Sequence, residues 1–247
     1  MATLITLLTD FGTADSYVAE VRGVLLSQVH GVVLADITHE VPPGDVRAAQ
    51  YILGRVWRRF PQGTVHLAVV DPGVGTARRA LAAQAAGHFF VAPDNGLLSF
   101  LPADAHFVAL PVPAGAAPTF HGRDLFAPAA GQLALGASLS HLGHPIADPV
   151  RDPLPAPRHD GAAVVGEVIY VDRFGTLISN IPGAAVEPGV RIRVAGTEIG
   201  VLRRTFGDVA RGQLVAFVGS GGTVEIAVRD GSAARLLGVG VGAEVRA

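Results

Sequence analysis

The chain has 247 residues, 49% of them apolar, and a formal charge of −2, enough for a core in one large domain or two unequal ones. It contains no cysteine and no lysine, which removes thiolate catalysis, disulfides, thiolate metal sites, Schiff-base chemistry and a P-loop lysine. No apolar run reaches the roughly 18 residues of a membrane helix, and the arginines are scattered, so neither a membrane nor a nucleic-acid partner is expected.

The stretch Met1–Asp10 has no basic leader and reads as a first strand, centred on Leu4–Leu8, which implies no signal peptide and a cytoplasmic protein. Val18 to Val29 has apolar residues at helical spacing, and Val32 to Ala35 is a second strand. Gly44-Asp45 opens a helix whose apolar face carries Ala48, Ala49, Ile52, Leu53, Val56 and Trp57. Val65 to Val70 is an almost unbroken apolar run, as in a strand buried on both faces of a parallel sheet, and Phe89 to Ala92 is another. Ala127 to Leu135 reads as a helix, with Asp124 placed as its N-cap. This alternation predicts an α/β sheet domain over 1–150. The proline-rich stretch Asp148 to Gly161 reads as a linker. Beyond it, the short runs Gly166–Asp172, Arg191–Val194, Leu214–Val218 and Thr223–Ala227 predict a smaller, all-β, barrel-like domain over 162–247.

Polar residues collect after the strands of the first domain. The first strand ends in Thr9-Asp10-Phe11-Gly12, the run from Val65 in Asp71-Pro72-Gly73-Val74-Gly75, and the run from Phe89 in Pro93-Asp94-Asn95-Gly96. Each is also an ordinary turn sequence. Together they fall where parallel sheets bind ligands, at the carboxyl ends of the strands. Thr119 to Phe126 adds His121, Arg123 and Asp124; histidine titrates near neutrality and commonly does acid–base work. His141 and His144 have no third ligand nearby and read as surface residues, so no metal site is expected.

These segments resemble the SAM hydroxide adenosyltransferases, the adenosine-forming S-adenosyl-L-methionine (SAM) hydrolases, which are related to fluorinase and chlorinase. The resemblance spans nearly the whole chain and rests on Leu8-Thr-Asp-Phe-Gly12, Asp36-Ile-Thr-His-Glu-Val-Pro-Pro43, Val70-Asp-Pro-Gly-Val-Gly-Thr76, Ala92-Pro-Asp-Asn-Gly96, Phe120-His-Gly-Arg-Asp124 and Asp172-Arg-Phe-Gly175. It implies hydrolysis of SAM to adenosine and methionine, no cofactor, and a homotrimer with its sites between subunits. It also implies that Asp71, Arg78 and His121 surround the attacking water. By the same resemblance Asp10 binds the ribose and Asp172 the methionine amino group, with Phe11, Asn95, Phe174, Ser220, Glu225 and Val228 as further substrate contacts. Relatives usually carry Asn where this chain has Thr176, and Asn180 is a candidate substitute for its adenine contact. Relatives also often have Tyr in place of Phe206.

The sulfonium of SAM is already a good leaving group, so the site has only to hold water in line with C5′ and raise its nucleophilicity. Arg78 is expected to keep Asp71 ionised and to lower its pKa. Two alternatives stand beside this reading. A halogenase of the same superfamily has tyrosine in place of Asp71 and an aromatic lid near Gly44. A non-catalytic SAM- or adenosine-binding protein would have no use for Asp71, Arg78 and His121 together.

Overall fold

The computed structural model describes residues 3–247; the first two residues of the Met1–Asp10 stretch lie outside the described residues. The chain divides into two compact units, Met1–Pro153 and Leu154–Ala247.

The first unit contains β1 (Leu4–Thr9), α1 (Tyr17–Gln28), β2 (Val33–Thr38), α2 (Val46–Val56), β3 (Val65–Val69), β4 (Ala80–Ala85), β5 (His88–Pro93), β6 (His106–Leu110), α3 (Ala127–Ala134), α4 (Leu139–Leu142) and β7 (His144–Ile146). Its sheet has the order β2-β1-β3-β5-β4-β6-β7. β2, β1, β3 and β5 run parallel, whereas β4, β6 and β7 pair antiparallel. All five residues of β3 are buried, as expected of a strand covered on both faces. Ile5, Leu7, Val65, Leu67 and Val69 pack with Val21 and Leu25 of α1 and Ala130 and Leu133 of α3 in one core. α2 starts where its sequence says: Asp45 accepts a hydrogen bond from the Ala48 N–H at 2.9 Å.

The α/β sheet is mixed: β4, an alanine run without β preference, inserts as an antiparallel strand between β5 and β6. One expectation fails here. Asp124 does not cap a helix. It lies inside a π-helical turn, Gly122–Phe126, that runs into α3, and its carboxylate holds the Ala117 N–H at 2.9 Å and both Nε and Nη2 of Arg123.

The second unit contains β8 (Arg158–Asp160), β9 (Ala163–Val171), β10 (Leu177–Pro182), β11 (Arg191–Val194), β12 (Thr197–Arg203), β13 (Leu214–Val218), β14 (Thr223–Val228), α5 (Ala233–Leu237) and β15 (Glu244–Arg246). Seven of these strands form the cycle β10-β14-β13-β12-β11-β15-β9, closed by pairing of β9 with β10, and β8 pairs on the outside of β9. Closure removes the sheet edges and surrounds a core of Val168, Leu177, Ile181, Ile192, Val224, Ile226 and Val245. No described helix is long and apolar enough to cross a membrane.

Candidate active site

β1 and β3 are parallel neighbours, and the strand order reverses at β1, which has β2 on its other side. Such a switch point opens a crevice at the carboxyl ends of the strands, and Asp10 and Asp71 follow those two ends. β4 runs antiparallel to β5, so its start lies at the same edge, and Arg78 and Arg79 immediately precede it. The turn between Asp71 and Arg78 depends on Gly75: its φ is +76°, and a Cβ there would lie 2.7 Å from the Pro118 carbonyl oxygen.

Asp71, Arg78 and His121 form one cluster. The Arg78 Nε donates to Asp71 Oδ1 at 3.0 Å, and its Nη2 donates to Asp71 Oδ2, a bidentate pair that orients both groups. The same Nη2 lies 3.2 Å from His121 Nδ1. Arginine only donates, so Nδ1 is the acceptor and the ring proton sits on Nε2. The Arg78 and Asp71 side chains are 8% and 6% exposed, and His121 is buried. Burial pushes the Asp71 carboxyl up from its ordinary range; Arg78, the Gly73 N–H and His121 pull it back without cancelling the rise. The net direction is thus opposite to the one expected from Arg78 alone, and it brings the carboxylate closer to the pKa of an effective base.

Asp71 and His121 line a cavity of about 260 Å³ with Asp10, Phe11, Pro72 and Phe120. Asp10 Oδ2 accepts from the Gly44 N–H at 2.8 Å, which ties the end of β1 to the turn before α2. Phe11 packs edge-on to Phe120 at 5.9 Å, close over Gly122, where a Cβ would meet the Phe11 ring at 3.2 Å. Asn95 does not line this cavity. Its Nδ2 donates to the Val70 carbonyl at 2.9 Å and its Oδ1 accepts from the Leu97 N–H, so it braces the residue before Asp71.

In the second unit, Asp172, Phe174, Thr176, Glu225 and Val228 line one cavity of about 870 Å³, together with Phe206, Arg229 and Arg235. Asp172 Oδ1 accepts the N–H groups of Phe174 and Thr176 at 2.9 and 2.8 Å, and this turn presents the Phe174 ring, which is 77% exposed. The turn requires Gly175, at φ +82°, because a Cβ would collide with Ser232 Oγ. Phe206 leans edge-on against Phe217 at 4.6 Å. Asn180 stands elsewhere: its amide bridges the Pro155 carbonyl and the Glu167 N–H, beside a separate cavity lined by Arg158 and Glu244. Ser220 lies on the β13–β14 hairpin and does not line the cavity of Asp172. Arg229 and Arg235 carry no sequence signal for a site, and Phe120 carries only that of an aromatic beside His121.

A model of the SAM hydroxide adenosyltransferase N-terminal domain matches residues 5–143, and that of the C-terminal domain matches residues 166–246. The chain belongs to the SAM hydroxide adenosyltransferases. An (R)-S-adenosyl-L-methionine hydrolase of Salinispora tropica is 44% identical to this member of the family, over 98% of this chain and 96% of its own. A fluorinase of Actinoplanes sp. is 31% identical over 72% of this chain and 71% of its own. The crystal structure of an uncharacterized conserved protein from Thermotoga maritima superimposes with a TM-score of 0.89 at 35% identity, covering 98% of each chain. Among the described residues of this SAM hydroxide adenosyltransferase, no group of three or more His, Cys, Asp or Glu side chains is arranged to hold a metal ion.

Proposed function

We propose that the chain hydrolyses S-adenosyl-L-methionine to adenosine and L-methionine by attack of water at C5′. The observation that carries this reading is the buried cluster in which Arg78 grips both oxygens of Asp71 and touches His121 Nδ1. Asp71 keeps further lone pairs on each oxygen, so it can accept a proton from water while remaining clamped. His121, protonated at Nε2, donates to the water and fixes its direction. The water oxygen bonds to C5′, the C5′–S bond breaks, and its electron pair stays on sulfur as the neutral thioether of methionine. The water proton passes to Asp71. Positioning of this kind contributes about 7–11 kcal/mol in ideal cases. No metal or cofactor enters the scheme, because the sulfonium leaves without help.

Asp71 also favours water over halide. A carboxylate about 4 Å from a halide repels it by roughly 4 kcal/mol at an effective dielectric near 20. Gly44 offers no aromatic lid. Asp10 fits the ribose hydroxyls, while Asp172, Phe174, Thr176, Glu225 and Val228 fit the amino acid and base. The cavity beside Asp71, about 260 Å³, is smaller than the roughly 300–1,000 Å³ of ordinary ligand sites, so it houses the reacting centre rather than all of SAM. We accordingly propose a cytoplasmic homotrimer in which a neighbouring copy completes each site, an assembly of the closed, symmetric kind common among soluble enzymes.

Incubation of the purified protein with SAM, followed by chromatography, tests the reading. Equal amounts of adenosine and methionine support it. SAM bound but unchanged would favour the binding protein instead.

A further inference from the structure

Arg78 and Arg79 are neighbours with different partners. The Arg78 guanidinium serves Asp71 and His121 through Nε and Nη2, and its remaining nitrogen, Nη1, donates to the Arg79 carbonyl at 3.2 Å. That carbonyl also accepts the Asp94 N–H at 2.9 Å. The Arg79 side chain returns to the same residue: Nε donates to Asp94 Oδ2 at 2.7 Å, with Nη2 also 2.7 Å away. Asp94 Oδ1 accepts the Val150 N–H at 2.7 Å, and the carboxylate is 2% exposed. Asp148 supplies a second strap, its Oδ1 at 2.9 Å from Arg79 Nη1 and its carbonyl at 2.6 Å from Nη2.

We propose that Asp94 is a positioning residue for the Arg78 guanidinium, acting through the Arg79 carbonyl. The proposal rests on reading Asp71, Arg78 and His121 as the reaction site. A guanidinium is a rigid planar fork. It can meet two Asp71 oxygens and His121 together only in one orientation, and the Arg79 carbonyl is the acceptor that holds its third nitrogen. Asp94 fixes that carbonyl from the main chain and fixes the Arg79 side chain with its carboxylate, so Arg79 cannot turn without breaking both. A misplacement of about 1 Å at a reacting centre costs up to about 100-fold in rate.

The competing role for Asp94 is to anchor the segment after residue 147. That segment has other anchors: Arg151 Nη1 donates to the Leu101 carbonyl at 3.0 Å and the Asp152 N–H to Ser99 Oγ at 2.8 Å. Neither involves Asp94, so the segment stays held when Asp94 is changed.

The test is Asp94→Asn, with Arg79→Gln as the second variant because Arg79 lies partly at the surface and its loss leaves the carbonyl in place. Steady-state kinetics with SAM across pH and Arg Nε–Hε NMR spectra are recorded for wild type and both variants, with Arg78→Lys to assign the Arg78 signal. In the variants, kcat falls roughly 10- to 100-fold while KM stays within about twofold. The acid limb of the kcat profile moves to higher pH, because a loosened Arg78 pulls less on Asp71, and the Arg78 Nε–Hε signal shifts or broadens. An Arg78 signal and acid limb that both match wild type overturn the proposal, whether kcat is normal or falls together with melting temperature. If wild type does not turn over SAM, the proposed function fails, and the Arg78 signal in the two variants alone decides the positioning role.

Discussion

Arg78 Nη2 and His121 Nδ1 stand 3.2 Å apart, although 43 residues separate them in sequence, and this contact sets the chemistry available to the histidine. Because Arg78 can only donate, His121 is held with its proton on Nε2, which makes the ring a donor through that nitrogen; the proposed mechanism accordingly gives Asp71 the role of base. Replacing Asp71 with Asn keeps its size but removes the charge. Turnover should fall by roughly two to four orders of magnitude, the range typical of general-base loss. Circular dichroism should match wild type, and SAM binding by calorimetry should change far less than kcat. A folded variant with near-normal turnover would transfer the role of base to another group.

The Asp71 carboxyl is raised by burial. The proposed mechanism uses its ionised form, so kcat should be full above the raised pKa and should be lost as pH falls through it, at higher pH than an ordinary aspartate allows. Arg78→Gln removes the principal group that opposes burial and should move this acid limb further up, together with a loss of kcat. A pH–kcat profile whose acid limb stays at the ordinary carboxylate position in both proteins would contradict this.

A second buried titratable cluster lies away from the cavity. Thr6 Oγ1 stands 2.8 Å from His66 Nδ1, and His66 Nε2 stands 3.2 Å from His88 Nδ1, with Trp57 edge-on to His88 at 5.2 Å. Burial, and then the neighbouring His88, lower the His66 pKa from 6.5 to about 3. The folded state therefore resists a proton that the unfolded chain accepts. This contribution to stability is full above pH 6.5 and is lost as pH falls from there towards 3. Denaturant titrations should show stability declining across that window, and His66→Gln should flatten the decline. Equal slopes for both proteins would remove His66 as its source.

Turnover should be indifferent to a strong chelator, since the proposed scheme routes no step through a metal. Activity that vanishes on chelation and returns with zinc would refute that scheme. Light scattering of the active protein should give a trimer mass, and an active monomer at assay concentration would refute the shared site.

Much of the candidate site was legible because its residues sit in dense local sequences at strand ends. Asp10 and Asp71 follow apolar runs that read as buried strands, whereas Arg78 is singled out by the family resemblance alone. His121 stood out as a titratable group just before a helix. Other parts depend on pairing that no local pattern encodes. The alanine run of β4 becomes a strand because β5 and β6 flank it on both sides, and without β4 nothing brings Arg78 to the carboxyl edge. In the barrel, β10, β12 and β15 carry no strong alternation, and closure rather than local pattern defines them. Asp124 reads as an N-cap, yet Arg123 and the Ala117 N–H draw its carboxylate away from the helix. Asp94 reads as a turn residue because its partners, Arg79 and Val150, lie 15 and 56 residues away.

Attack of water at C5′ of SAM is tested by turnover in water labelled with heavy oxygen, read by mass spectrometry of the nucleoside. One labelled oxygen per adenosine is expected, in the 5′-hydroxyl, with unlabelled methionine released in equal amount. Unlabelled adenosine, label in methionine, or a halogenated nucleoside formed in its place when halide is present would contradict it.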